Sequence, residues 1–131
     1  MKLNQSLARV LAPAYGPCPA FSGACTEMRW DPAAGHVPRG FLGAAGALAE
    51  IELVLVVAEP GDPHAGEVHK GLYSAYDYTS NVFKVGKDQF HRNVRGILNA
   101  CWPGLSFEDQ SRKVWITESV LCSAAKEGSR C

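Results

Sequence analysis

A partial doubly wound α/β domain with a mainly parallel sheet is the fold this sequence predicts, and three segments predict it. Leu53-Val54-Leu55-Val56-Val57, inside Ile51–Ala58, is a continuous aliphatic run of the kind found in strands covered on both faces. Asp88–Cys101 follows as a helix, with Phe90, Val94, Ile97, Leu98 and Cys101 as its apolar stripe. Lys113–Leu121, with Val114, Trp115, Ile116 and Val120, reads as a second strand. Strand, helix and strand in that order form a β-α-β unit, whose two strands run parallel.

The remaining elements follow from periodicity and punctuation. Leu3, Leu7, Val10 and Leu11 recur at helical spacing, so a short helix opens the chain. Residues 13–46 hold Pro13, Pro17, Pro19, Pro32 and Pro38 among many glycines and are read as an irregular segment. Glu59-Pro60-Gly61-Asp62-Pro63 ends the first strand in a turn. A helix over Gly66–Tyr76, turning Val68, Leu72 and Ala75 or Tyr76 inward, precedes the Asp88–Cys101 helix, which Asp88 caps and Pro103-Gly104 ends. Two visible strands are few for such a sheet. Either strands hide in Ala20–Ala49, or the chain is the first part of a larger domain. The second reading is preferred, with 1–131 as one incomplete domain.

The composition limits the function classes. The 131 residues carry 13 basic and 13 acidic side chains, so bulk charge does not drive nucleic-acid binding, although a local basic face remains open. No apolar run reaches the ~20 residues of a membrane span, and no apolar stretch after Lys2 marks a signal peptide. A cytoplasmic address without a membrane partner is the expectation. Five cysteines, at 18, 25, 101, 122 and 131, make an odd set in which metal or cluster ligation is weighed against simple burial.

Ligands of open α/β sheets bind at the carboxyl ends of the strands. Glu59, Asp62, His64, Glu67 and Glu118 all fall just past the two strands, so acid and base groups should face one crevice. Lys84, Lys87, His91, Arg92 and Arg95 place five cationic groups within twelve residues, and His91, Arg92 and Arg95 share one helix sector of roughly 100°. Such a run can meet phosphates or simply be solvated.

Several short motifs, taken in order, resemble the uracil-DNA glycosylase superfamily and in particular its iron–sulfur branch. Ala58-Glu59-Pro60-Gly61 resembles the turn after that family's first strand. Phe83-Lys84-Val85-Gly86-Lys87 resembles its Phe-Val-Gly-Lys segment, which leads into a helix ending in Ile-Leu, here Ile97-Leu98. Val114-Trp115-Ile116-Thr117-Glu118-Ser119-Val120-Leu121-Cys122 resembles its Val-Tyr-Ile-Thr-Asn-x-Val-Lys-Cys strand, and Cys18 and Cys25 stand where an N-terminal cysteine pair does.

The resemblance implies hydrolysis of the N-glycosidic bond of a flipped, deaminated or damaged base in DNA, as in base-excision repair. Glu59 is the implied catalytic acid; an alternative register through Asp62-Pro63-His64 makes it Asp62. Phe83 would stack on the base (Tyr73 is the other aromatic weighed), with Glu118 and His64 as further substrate contacts. Lys87, Arg92 and Arg95 would contact DNA. Cys18, Cys25, Cys122 and Cys131 would hold a 4Fe–4S cluster. Two departures have chemical meaning: Glu118 replaces an amide, and the first two cysteines are spaced Cys-x6-Cys. No His-Pro-Ser-like loop is present, so weak or absent turnover is expected of this chain. The rival readings are a non-catalytic Rossmann-like binding module and a structural metal site using Cys18, Cys25 and His36.

Overall fold

The computed structural model describes residues 1–18, 28–58, 60–61 and 66–124. Its elements are α1 (Gln5–Leu11), β1 (Met28–Arg29), β2 (Leu42–Gly43), β3 (Leu53–Val57), α2 (Leu72–Val85), α3 (Gln89–Cys101), α4 (Phe107–Lys113), β4 (Val114–Glu118) and β5 (Ser123–Ala124).

β3 and β4 run parallel in register from Leu53 against Val114 to Val57 against Glu118. The β-α-β reading is therefore correct for this pair. β2 joins the other edge of β4 antiparallel, giving the order β2-β4-β3, while β1 and β5 form a separate antiparallel pair. The fold is mixed α/β, with one parallel and one antiparallel pairing in its three-stranded sheet rather than a mainly parallel one. Both β1 and β2 come from the Pro/Gly-rich segment. At two residues each they are too short to leave a period-two signature.

Two apolar clusters cover opposite faces of β4. Trp115 packs with Leu3, Ala8, Leu11, Phe41, Ala75 and Tyr76, and Val114 and Ile116 pack with Leu42, Phe83, Val94, Leu98 and Phe107. The two faces are those of the period-two alternation of a strand. β3 behaves differently from expectation. Leu53 and Leu55 pack on the second cluster, whereas Val54 and Val56 are 55% and 63% exposed. An aliphatic run records what a strand tolerates, and here only one face of β3 is covered.

The helices show similar corrections. Val94 and Leu98 of α3 are buried, but Phe90 and Ile97 remain 43% and 46% exposed and Cys101 is exposed, so Cys101 is not a core residue. The buried stripe is thus narrower than the apolar one. Val10 of α1 is likewise exposed. α2 begins at Leu72 and runs nine residues beyond the expected end, leaving Val68 exposed before it. Gly71, at φ 143, precedes its first turn and Gly86, at φ 64, stops it. Between them Ala75, Tyr76, Thr79, Ser80 and Phe83 form a continuous buried face. Phe83 and Lys84 therefore belong to the last helical turn rather than to a loop. α4 was not foreseen; its signal is Ser106, whose Oγ accepts from the Asp109 N–H three residues on.

Gly43 shows how β2 reaches β4 so closely. At φ 94, a Cβ there would lie 2.1 Å from the Val114 carbonyl oxygen, so only glycine fits. Its own carbonyl accepts from the buried Tyr76 hydroxyl at 3.0 Å, and burial, followed by the nearby Asp77 charge, pushes that phenol up to about 12. Tyr76→Phe is expected to cost roughly 1–2 kcal/mol by leaving that carbonyl without its donor. Urea titration should show a lower midpoint at an unchanged slope.

Candidate functional site

The turn after β3 and the turn after β4 are tied to each other. The Ala58 carbonyl accepts from the Ser119 N–H at 2.9 Å, from the Ser119 hydroxyl at 2.5 Å and from the Val120 N–H at 3.2 Å. The chain leaving β3 is thereby fixed just before Glu59. Three residues on, the Gly61 carbonyl accepts from the Arg39 guanidinium. These anchors frame a cavity of about 430 Å³ at the carboxyl ends of the two parallel strands, lined by Ala58, Pro60, Gly61 and Glu118. That volume lies within the usual range for small-ligand sites.

α2, α3 and the turn between them supply the remaining wall. Phe83, Tyr78, Lys87, Asp88, Phe90 and His91 line it. Phe83 is buried, its ring meeting Phe90 at 5.8 Å and His91 at 4.5 Å between centroids, both edge-on. Gly40 brings the chain against Glu118. It sits at φ 83, and a Cβ there would lie 2.3 Å from Glu118 Cγ.

A buried charge network stands beside the cavity. Glu67, with its side chain 2% exposed, accepts from Arg39 Nη1 at 3.1 Å, from the Tyr78 hydroxyl at 3.0 Å and pairs with His69 Nε2 at 2.9 Å. Lys87 Nζ donates to the Tyr78 oxygen at 3.2 Å. One carboxylate therefore orients Arg39 and Tyr78, and through Tyr78 the ammonium of Lys87, along one rim. Glu67 was expected in the crevice; Arg39, Tyr78 and His69 were not. Nothing in the spacing of residues 39, 67, 69 and 78 announces their meeting.

Of the expected site residues, Phe83, Glu118 and Lys87 come together at this cavity. Tyr73 does not belong with them: it lines a second cavity with Gln5, Ala8, Arg9 and Leu72, and Tyr78 takes the place of a second wall aromatic. Glu59, Asp62, His64, Cys25 and Cys131 lie outside the described residues. The cationic run on α2 and α3 is largely engaged within the protein. Lys84 pairs with Glu108 at 2.6 Å, Arg92 reaches the Gly86 carbonyl at 3.3 Å, and the Arg95 guanidinium stacks 4.5 Å from the Phe107 ring centroid.

Cys18 and Cys122 are neighbours. Burial raises the Cys122 thiol pKa first, and the adjacent Cys18 adds to it. Burial and then Cys122 also push up the phenol of Tyr15, whose hydroxyl donates to the Pro38 carbonyl at 2.6 Å. The β1–β5 pairing begins directly after Cys122, with Ser123 opposite Arg29. Among the described residues no group of three or more His, Cys, Asp or Glu side chains is placed to hold a metal. No helix among them is long and apolar enough to cross a membrane. No protein-family model, curated protein or solved structure matches this chain.

Proposed function

We propose that this chain is a uracil-DNA glycosylase-like protein whose cavity receives a flipped base from DNA and in which water hydrolyses the base's N-glycosidic bond. The observation that carries the reading is the parallel β3–β4 pair, which sets Ala58, Pro60 and Gly61 beside Glu118 around one cavity walled by the buried Phe83. In this reading Phe83 is the stacking surface. Glu59, directly after the pinned Ala58, positions and activates water, with Asp62 as the alternative acid and His64 as a further substrate contact. Lys87 meets DNA at the rim, with Arg92 and Arg95 beyond it on α3.

Glu118 sets the preference among bases. An ionised carboxylate only accepts hydrogen bonds, whereas the edge of uracil offers both a donor and acceptors. A damaged base that keeps an exocyclic amino donor suits it better. Single-turnover cleavage of single-stranded oligonucleotides, each with one uracil, hypoxanthine, xanthine or amino-bearing 8-oxoguanine, tests the reading. Glu118→Gln, which restores an amide, should move the preference toward uracil by roughly 1–3 kcal/mol. Absence of both cleavage and binding across the panel would favour a non-catalytic ligand-binding module.

Cys18 and Cys122 would supply two thiolates of a 4Fe–4S cluster completed by Cys25 and Cys131, a reading supported by the charge influence of Cys18 on the Cys122 thiol. Such a cluster would tie the chain around Tyr15 to the strand leaving the site, a structural role. Protein purified without oxygen should then absorb broadly in the visible, and Cys122→Ala should abolish that absorbance while Cys101→Ser leaves it unchanged. A colourless protein holding zinc would replace the cluster with a structural metal site.

A further inference from the structure

β3 is the edge of the three-stranded sheet: the order is β2-β4-β3 and, among the described residues, no strand pairs with its outer side. All five of its residues are aliphatic and none is buried, and Val54 and Val56 are the most exposed. The free N–H and C=O groups of an edge template further pairing, so edges are usually blunted by a charge or a proline. Leu53–Val57 contains neither.

The flank of α3 above the same edge is uncharged as well. Leu53 and Leu55 pack into the cluster that holds Val94 and Leu98, so α3 covers their face of β3. At about 100° per residue, Arg95 and Asn99 lie on the side of α3 that meets Phe107 and Gln110 of α4. α4 packs on β2 and β4, so the opposite flank of α3 overlooks the open edge of β3. That flank holds Phe90, Asn93, Ile97, Ala100 and Cys101, all exposed.

We propose that this edge is the interface of a symmetric homodimer, in which β3 pairs antiparallel with β3 of a second copy about a two-fold axis at Leu55. The proposal does not rest on the glycosylase reading. Register supports it first. The Glu52 N–H donates to the Lys113 carbonyl and the Ala58 carbonyl accepts from Ser119, so even-numbered residues face β4 and Leu53, Leu55 and the Val57 N–H turn outward. Pairing about Leu55 then sets outward groups against outward groups, Leu55 against itself and Leu53 against Val57 of the second copy. The Val57 carbonyl already accepts from the Ser119 N–H at 2.7 Å, which leaves about four backbone hydrogen bonds across the axis. Val54 falls opposite Val56 of the second copy, in the pairing class where side chains approach most closely.

Charge supports it next. In this register Glu52 falls opposite Ala58, so no like charges meet, and the two uncharged α3 flanks approach over the axis. A nucleic acid or a charged peptide would find no counter-ion on this surface, whereas a second copy brings the same apolar groups. Strand edge and helix flank each run about 17–20 Å. Such a surface lies near the lower limit of about 1,000 Å² for a specific interface, so a dissociation constant of about 1–100 μM is expected.

Sedimentation velocity in the presence of a thiol reductant, at concentrations below and above that range, tests the proposal. The 14.1 kDa chain should pass from monomer to dimer with no larger species, because a two-fold contact closes on itself. Val56→Lys and Ile97→Lys alter exposed positions, and each should weaken the dimer at least about tenfold by putting a charge into the interface. Val10→Lys, at a 72% exposed position on α1, should leave it unchanged. Circular dichroism verifies that the variants fold. A wild type that stays monomeric throughout overturns the proposal, as does a dimer that neither Val56→Lys nor Ile97→Lys weakens. Growth into larger species would show open-ended association and overturns the two-fold pairing.

Discussion

Glu67→Ala is expected to destabilise the protein by about 3–5 kcal/mol, the usual cost of breaking a buried ion pair by removing one partner. The Glu67 side chain is almost wholly buried and bonds Arg39, His69 and Tyr78, and the Arg39 guanidinium is itself largely buried and donates to the Gly61 carbonyl. Removing the carboxylate takes from that cation its ion pair with Glu67, removes the acceptor of the Tyr78 hydroxyl and loosens the turn that Arg39 holds. The loss has a signature beyond its size. Glu67→Ala combined with Arg39→Ala should cost less than the sum of the two single changes, because both remove the same ion pair. Denaturant unfolding of the four proteins measures both quantities. A single-variant loss below about 1 kcal/mol would mean that water reaches this network freely.

How much of this was legible beforehand depends on how local each signal is. The Leu53–Val57 and Val114–Thr117 strands and their parallel pairing, and α3 with its Asp88 cap, were readable because each signal is confined to a short run. Burial was less readable. Phe90, Ile97 and Cys101 sit at helical spacing with Val94 and Leu98, yet whether a neighbour covers them is decided by residues far away in sequence. β2 escaped notice for the same reason: two residues become a strand only because Gly43 lets them lie against Val114. The site divides in the same way. Glu118 and Phe83 were placed from strand ends and from a motif, while the Arg39–Glu67–Tyr78 network joins three segments that share no local pattern. Asp88 and His91 were both noticed, one as a cap and the other as part of a cationic run. Their meeting across a single helical turn was implicit in the i, i+3 spacing.

Glu59→Gln should lower turnover by 10²–10⁴-fold while leaving DNA affinity nearly intact. The argument starts from what surrounds this position. Ala58 receives three hydrogen bonds from the turn after β4, and Gly61 is held by Arg39, so the described residues that flank position 59 in sequence are anchored. A carboxylate at that position can accept a proton from attacking water, and glutamine, with the same shape, cannot. On the glycosylase reading, binding of the oligonucleotide would draw instead on stacking against Phe83 and on phosphate contacts, neither of which the substitution removes. The complementary change lies on α3. Removing a phosphate-binding cation should weaken DNA binding and flatten its dependence on salt, with turnover of the bound complex preserved. Arg92→Ala is a cleaner version of that experiment than Arg95→Ala, because the Arg95 guanidinium also packs on Phe107 and its loss would disturb the core. Equal losses of turnover and affinity in Glu59→Gln would place this carboxylate among the binding groups. Asp62→Asn, measured alongside, then decides which of the two acids works on water: the one whose loss affects turnover alone.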